Sequence, residues 1–383
     1  MLTFIVFALI LSFLVFIHEL GHFMAARRSG VRVEEFGLGL PPKIWGKKVG
    51  ETTYTLNLLP FGGFVKLTGE DDDSPDAIKR AMADPENFLS KSTYARAFIL
   101  VAGILMNLLG AFILYYFVLG LNGFKSQVLP LYVDHHFKFG HEKVIQTVVS
   151  GVEPGSAAEK AGIKFGEAVI EINDTPVYTL KDVRDLMNLS TGREAKILLM
   201  DVKDSAQAKR VVMATPELLE STDGEKRGKI GIVLGPVVQI DYSGVVLLAG
   251  PLHAFNMLDY TGAVFKELVS YSFEKKTFEP VSTGISGPVG VFSIVGAILT
   301  HGGKDTVIAL LDLVALLSLS LGLMNLLPIP ALDGGRLVFV VFEMITKHKP
   351  DPVKEALVHK IGMAILLALM VLVTFKDVKN LIG

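Results

Sequence analysis

Residues 1–26 carry ionisable side chains inside a segment that is otherwise apolar enough to cross a membrane. Nearly every residue from Leu2 to Ile17 is apolar, and His18, Glu19 and His22 follow directly. A helix that continues to the end of this segment spans a bilayer core of about 30 Å. Because ionisable groups are costly at membrane depth, these three residues indicate a function with a bound partner.

The spacing of His18 and His22 predicts a shared metal ion. Residues four apart leave one face of a helix, so both imidazoles can reach the same ion. In such an HExxH pattern the histidines are neutral nitrogen ligands for zinc, and Glu19 is the base that takes a proton from water. No Lys or Arg precedes Arg27, which favours a retained transmembrane helix over a cleaved signal peptide. Two surface histidines are the alternative, and the apolar flanks disfavour it.

Composition limits the class of protein and the kind of metal site. The chain has 383 residues, half of them hydrophobic, which is typical of a polytopic membrane protein with a soluble portion. It has no cysteine, so His, Asp or Glu must hold any metal. The net charge of -2 argues against a nucleic-acid partner.

Three further apolar segments, at 97–121, 307–327 and 353–376, predict four transmembrane helices in all. Basic residues follow the first span and lie between the third and fourth, so the positive-inside rule places these loops on the cytoplasmic side. The N- and C-termini then face outward, and the histidine pair lies toward the cytoplasmic leaflet. The basic residues are Arg27, Arg28, Arg32, Lys43, Lys47, Lys48, Arg336, Lys347 and Lys349.

Residues 27–96 are expected to form a cytoplasmic-side loop with a membrane-associated β-hairpin. Strand-forming residues and glycine or proline turns alternate over 31–67, with more apolar residues than a solvated loop needs. An open edge near Gly62, Gly63 and Phe64 could pair with an extended substrate beside the metal helix. The alternative is a small cytoplasmic sheet that lies on the membrane interface.

A soluble α+β domain is predicted at 144–240, inserted between the second and third spans. Its run from Val152 to Asn173, with a helix that opens at Leu180, resembles a single bacterial PDZ domain. The resemblance implies a peptide-binding strand near Gly231 and Ile232 that takes a partner by strand addition. The alternative is a domain that only blocks access sterically.

The remaining segments give weaker signals. His135, His136 and His141 in the linker at 122–143 weakly indicate a second metal site. Polar residues within 245–269 favour interfacial amphipathic helices over 241–306 rather than a fifth span. Asn107, inside the second span, is interpreted as a contact between helices.

Two histidines and a water leave a tetrahedral zinc one protein ligand short. Asp333, in the motif segment 328–352, lies at the cytoplasmic end of the third span, where Pro328 and Pro330 break the helix. A carboxylate ligand also keeps a buried zinc centre near neutral. The alternatives left open are Asp312, Glu343 and a helix N-cap role for Asp333.

Three features occur in order along the chain: His18-Glu19-Leu20-Gly21-His22, the PDZ-like run, and Asn325 with Pro328, Pro330 and Leu332-Asp333-Gly334. Together they resemble the site-2 protease family nearly end to end, in the branch of the bacterial regulator of sigma-E protease. The resemblance implies zinc on His18, His22 and Asp333, with Glu19 as general base. It also implies that Asn325 stabilises the tetrahedral oxyanion.

This resemblance predicts a zinc-dependent intramembrane endopeptidase in the bacterial inner membrane. Its expected substrates are transmembrane segments of single-span proteins, such as a trimmed anti-sigma factor or a signal-peptide remnant. The PDZ domain is expected on the outer, periplasmic side, where it excludes untrimmed proteins. The rival interpretations are a catalytically silent membrane scaffold that binds peptide termini and a zinc transporter.

The predicted fold is therefore a polytopic α-helical membrane protein with four transmembrane helices, a membrane-associated β-hairpin and an inserted PDZ domain. The predicted segments are 1–26, 27–96, 97–121, 122–143, 144–240, 241–306, 307–327, 328–352 and 353–376.

Overall fold

The computed structural model of the chain describes residues 1–69, 81–153, 155–164, 166–201, 209–220, 226–276, 286–301 and 303–382. The chain divides into two compact units. The first consists of Met1–Tyr115, Ser282–Ala297 and Leu310–Gly383, and the second of Tyr116–Val281 and Ile298–Ala309.

Among the described residues, four helices are long and apolar enough to cross a membrane, as predicted. In chain order they are α1 (Leu2–Arg28), α2 (Thr93–Leu121), α7 (Thr306–Leu326) and α9 (Pro352–Ile382). The other α-helices of the described residues are α3 (Ala157–Lys160), α4 (Leu180–Leu189), α5 (Ala249–Lys275), α6 (Pro288–His301) and α8 (Asp333–Thr346).

The first unit also contains a ribbon of two long strands, β1 (Val33–Val49) and β2 (Thr52–Leu67), which pair antiparallel. The ribbon is more than a simple hairpin, because Phe36 pairs with both Tyr54 and Val65. Each strand therefore bends back on itself, with a cis peptide bond at Pro41-Pro42. The base of the ribbon packs on the end of α1, where Val33 is buried with Ala26.

The second unit is built on a seven-stranded sheet with the order β3-β11-β4-β5-β7-β8, in which β6 pairs with β5. A separate pair of strands is formed by β9 and β10. The bounds are β3 (Leu129–Pro130), β4 (His141–Val152), β5 (Glu167–Ile172), β6 (Thr175–Pro176), β7 (Ala195–Asp201), β8 (Lys209–Ala214), β9 (Glu217–Glu220), β10 (Lys226–Lys229) and β11 (Ile232–Asp241).

Helix α4 begins where the sequence predicts. The Thr179 side chain accepts from the Asp182 backbone N–H, and the Asp182 carboxylate accepts from the Thr179 N–H in return, so both form a capping box. The buried face of α4 places Val183 and Met187 in the core of the sheet. This packing fixes the helix along one face of the second unit.

The strand predicted to bind peptides, near Gly231 and Ile232, begins at Ile232 in the structure. Gly231 has a φ of +79°, a left-handed conformation that favours glycine. This conformation separates strand β10 from strand β11. The carbonyl of Gly231 accepts from Glu153 N–H, and that of Ile230 accepts from Ala158 N–H. The strand therefore begins at Ile232, and Gly231 lies in the turn before it.

Helix α5 packs on the second unit and is not among the four helices apolar enough to cross a membrane in the described part of the chain. Tyr260 of α5 is buried with Val238 of β11. The Tyr260 hydroxyl also accepts from Tyr132 N–H at 2.9 Å. Residues 277–285, which follow α5 within the segment predicted to hold interfacial helices, lie outside the described residues.

A buried polar network also connects α5 to the end of β11. Asn256 Nδ2 donates to the Tyr242 hydroxyl at 2.8 Å, and that hydroxyl lies 3.0 Å from His253 Nδ1. A neutral imidazole nitrogen can accept the hydroxyl proton while the hydroxyl oxygen accepts from Asn256, so the network favours an uncharged His253. Burial lowers the pKa of His253 to about 4.

Acidification is therefore expected to loosen α5. The unfolded state has a histidine pKa near 6.5, so it binds more protons than the folded state at pH values between about 6.5 and 4. The stabilisation is complete above pH 6.5 and is lost as the pH falls through this window, at a cost of about 3 kcal/mol. Hydrogen exchange of α5 and β11 amides at pH 7 and 4.5 measures this loss of stability. The variant His253→Gln should make the stability of these elements less dependent on pH. An unchanged pH dependence in that variant contradicts the assignment.

Candidate metal centre

The two histidines of α1 lie on one buried face, as the i, i+4 spacing predicts. His18 is 7% exposed and His22 is 9% exposed. Their Nε2 atoms are 3.1 Å apart. Both nitrogens therefore point at one position beside the helix.

Asp333 completes this group from the other end of the chain. Its Oδ2 lies 3.0 Å from His18 Nε2 and 3.2 Å from His22 Nε2. Asp333 is the first residue of α8, whose N-cap is Leu332 without a side-chain capping bond. The carboxylate therefore does not act as an N-cap and points to the histidines instead.

The turn before Asp333 is supported by a second helix. Ala331 has a φ of +80°, which is unusual for a residue with a Cβ. Its backbone N–H donates to His359 Nδ1 of α9 at 2.9 Å. Gly362 lets α9 approach closely, because a Cβ there would lie 2.6 Å from the Pro330 carbonyl oxygen. These contacts hold the chain in the path that brings Asp333 inward.

The three ligand atoms fit a metal ion such as zinc. Tetrahedral zinc with bonds of about 2.0–2.1 Å places neighbouring ligand atoms about 3.3 Å apart. The observed separations of 3.0, 3.1 and 3.2 Å form a nearly equilateral triangle close to this size. Asp333 Oδ2 is buried and makes no hydrogen bond of good geometry to any described residue. A cation at the centre satisfies all three atoms, whereas a single shared proton cannot.

The tautomer of His22 is set by its surroundings. Its Nδ1 lies 2.9 Å from the backbone carbonyl of Ile99 in α2. A carbonyl oxygen can only accept, so Nδ1 carries the proton and donates it. The lone pair of His22 is therefore on Nε2, the atom that faces Asp333.

Close contact between α1 and α2 positions the histidines. A Cβ at Gly21 would collide with the Ala102 carbonyl oxygen. A Cβ at Gly103 would collide with the His22 imidazole at Nε2 and would lie 2.8 Å from two of its carbons. The missing side chains at these two glycines therefore allow α2 to touch the ligand ring.

Glu19 lies beside the ligands on α1, and β2 holds its side chain. The Glu19 Oε2 atom accepts from Val65 N–H at 3.1 Å. A Cβ at Gly63 would lie 3.9 Å from Glu19 Cγ. Of the predicted substrate-binding residues, Gly62, Gly63 and Phe64 thus belong to the segment of β2 that reaches the metal helix.

Asn325 also lies at the centre. It is 9% exposed, and its Nδ2 is 3.4 Å from His18 Nε2. It occupies the last turn of α7, just before the break that leads to Asp333. The structure therefore brings His18, Glu19, His22, Asn325 and Asp333 together within the first unit, whereas Gly231 and Ile232 belong to the second.

The other candidates for metal ligands do not join this group. In the part of the chain that the structure describes, the one group of three that could hold a metal is His18, His22 and Asp333. Glu343 instead pairs with the buried Arg96 at 2.6 Å. His135 lies 3.7 Å from Asp259, and His136 lies 3.7 Å from Glu142. Asp312 is absent from the group as well.

The sequence does not predict the role of several residues at the centre. They share the property that their role depends on packing between helices rather than on a local motif. The interpretation of Asn107 as a contact between helices is confirmed, because its side chain on α2 contacts His18 on α1. A polar residue in an apolar span is a signal, but it does not say which neighbour it meets. The residues missed are Ile99, Gly103 and His359.

Known proteins resemble the chain over nearly its whole length. The sequence profile of peptidase family M50 matches residues 6–369. A protein of Clostridium acetobutylicum, provisionally named a zinc metalloprotease, is 34% identical over 95% of this chain and 94% of its own length. A Helicobacter pylori protein with the same provisional name is 33% identical over 99% and 100%. The zinc metalloprotease RasP of Bacillus licheniformis is 30% identical over 99% of each chain. The names of all three relatives describe zinc metalloproteases.

Proposed function

The chain belongs to peptidase family M50, and on this premise we propose that it is a zinc-dependent intramembrane endopeptidase. Its substrates are transmembrane segments of single-span proteins. The observation that carries the proposal is that Asp333 meets His18 and His22, which lie on a helix able to cross a membrane. A metal site at that position acts on peptide bonds that lie within the bilayer.

The residues divide the chemistry between them. His18, His22 and Asp333 hold the metal. When bound, zinc supplies a Lewis acid that lowers the pKa of a water to about 7 and polarises a carbonyl. Glu19 takes a proton at its carboxylate and passes it to the leaving amine. Asn325 points its amide at the same position and donates to the oxyanion of the transition state.

The last segment of β2 presents the substrate. A helical substrate hides its carbonyls in its own hydrogen bonds, so it must unwind before hydrolysis. Val65 pairs with Phe36 on one side, and its N–H reaches Glu19. An unwound strand added along Gly62, Gly63 and Phe64 therefore lies beside the base.

The second unit acts as a PDZ domain that selects trimmed substrates. Strand β11 and the capped helix α4 belong to the same core, and β3 pairs with β11 at Val237 and Val238, which leaves the first residues of β11 as an edge to which a peptide can add. Ile232 begins that strand, and Gly231 shapes the turn before it. Segments of an anti-sigma factor or signal-peptide remnants fit this role.

The orientation follows from charge. The basic residues that begin with Arg27 and Arg28, in the last turn of α1, place that end of the helix in the cytoplasm. The metal centre then lies toward the cytoplasmic leaflet of a bacterial inner membrane, with the chain termini and the PDZ domain on the outer side.

The test uses purified full-length protein in liposomes with a single-span protein labelled at both ends. We expect cleavage within the transmembrane segment, located by mass spectrometry of the products. A zinc chelator should stop cleavage, and added zinc should restore it. Binding of the trimmed substrate without cleavage under zinc-loaded conditions supports a silent scaffold instead, and cleavage only outside the membrane segment overturns the intramembrane assignment.

A further inference from the structure

Asn107 lies in the middle of α2 and is fully buried at 0% exposure. Its side-chain amide nitrogen is 3.2 Å from His18 Nδ1. This contact is on the side of the imidazole away from the metal position, since His18 Nε2 faces His22 and Asp333. Asn107 is therefore the neighbour that can decide which nitrogen of His18 carries a proton.

The metal geometry demands one tautomer of His18. A neutral imidazole has one proton, and a nitrogen that ligates a metal must present its lone pair. Because Nε2 is the converging atom, the proton must be on Nδ1. That N–H is buried and needs an acceptor.

The Asn107 amide supplies an acceptor in one of its two orientations. The oxygen and nitrogen of a side-chain amide exchange positions on a half rotation, and hydrogen bonding decides between them. In the present orientation Asn107 Oδ1 is buried without a hydrogen-bond partner among the described residues. No bond to that oxygen therefore fixes the orientation. The rotated amide places the oxygen next to His18 Nδ1.

A purely structural role does not account for this contact. Asn107 also meets α7, but through its backbone carbonyl, which accepts from the Ser318 hydroxyl at 2.8 Å. Any residue at position 107 keeps that carbonyl. The side chain is left to act on His18.

We propose that Asn107 is a positioning residue that accepts a hydrogen bond from His18 Nδ1–H and so holds His18 Nε2 ready to bind the metal. The inference rests on the proposed zinc centre. The two histidines are then oriented in the same way, since the Ile99 carbonyl accepts the corresponding hydrogen bond from His22 Nδ1–H. One histidine is oriented by backbone and the other by a side chain, so only the second can be changed by substitution.

The experiment measures zinc affinity by competition with a chromophoric chelator in detergent. Asn107→Leu removes the acceptor at similar size and should weaken zinc binding about 10–100-fold. Asn107→Asp restores an acceptor and should bind at least as tightly as the parent. Ser318→Ala is the matched control, because it breaks the α2–α7 bond without touching the amide, and it should bind like the parent.

Each outcome decides the matter. Parent-like affinity in Asn107→Leu overturns the inference, as does equal weakening in Asn107→Asp or in Ser318→Ala. If the parent itself binds no zinc, the proposed function fails, and the inference is then judged by ¹⁵N NMR of histidine in metal-free protein. There the parent should show His18 protonated at Nδ1, and Asn107→Leu should show a mixture of tautomers. An unchanged tautomer in that variant rejects the positioning role.

Discussion

Glu19→Gln is expected to lower the rate of substrate cleavage by about 10²–10⁴-fold while zinc affinity stays at the parent value. Glutamine keeps the size of the side chain and an oxygen that can accept from Val65 N–H, so the contact to β2 survives. It cannot accept and return a proton. Cleavage of a labelled single-span substrate, measured beside zinc content, separates the two effects.

Glu34→Gln is the matched control for this variant. It makes the same chemical change in the same unit, at a carboxylate that forms an ion pair with Lys66 at 2.9 Å and is partly exposed. Exposed ion pairs contribute little, so this variant should cleave at the parent rate. Full activity in Glu19→Gln places the base elsewhere, and loss of its zinc makes Glu19 part of the metal site.

Gly103→Ala is expected to weaken zinc binding about 5–150-fold and to reduce cleavage with it. The added methyl group would occupy the position of the His22 ring. The ring cannot move away freely, because its Nδ1–H is bound to Ile99 and its Nε2 must stay by Asp333. Overpacking a tight core by one methyl group costs about 1–3 kcal/mol, which corresponds to about 5–150-fold. A chelator competition measures the change.

Gly110→Ala on the same helix is the control. A Cβ at Gly110 would lie 3.5 Å from Ser318 Oγ and 3.6 Å from Ile17 Cδ1, which are ordinary contact distances. Both variants add one methyl group to α2, but only one of them meets a ligand. Equal zinc affinity in the two variants would mean that the close approach at Gly103 does not position His22.

The sequence predicts what depends on local spacing. The i, i+4 pair of His18 and His22 requires only a helix, and the apolar run around it requires only a bilayer. The proline break at Pro328 and Pro330 sufficed to suggest Asp333 as the third ligand. The structure adds that this carboxylate meets both histidines, whereas Glu343 is occupied by Arg96.

Helix packing explains what the sequence could not predict. Helix α1 is apolar all round, so periodicity does not show which face meets α2. The contacts of Gly103 and Asn107 with the histidines depend on that choice. The support of Ala331 by His359 joins positions 28 residues apart in sequence, with no motif to announce it.

The ribbon and the second unit show the same limit for strands. Alternation and turns predict paired strands over 31–67, but not that Phe36 pairs on two sides. This requires the bend near Pro41 and contacts that a strand-by-strand pattern does not contain. At position 231 the glycine itself was the signal in the sequence for a break between strands. Its left-handed φ ends the extended conformation before β11 begins.

X-ray absorption at the zinc edge of the purified full-length protein tests the central claim most directly. We expect one zinc per chain, with a first shell of nitrogen and oxygen at about 2.0–2.1 Å that contains two imidazoles. Asp333→Asn should weaken the binding and leave both imidazoles in the shell. Absence of zinc from the parent, or a zinc shell without two imidazoles, would contradict the metal centre on which the proposed protease rests.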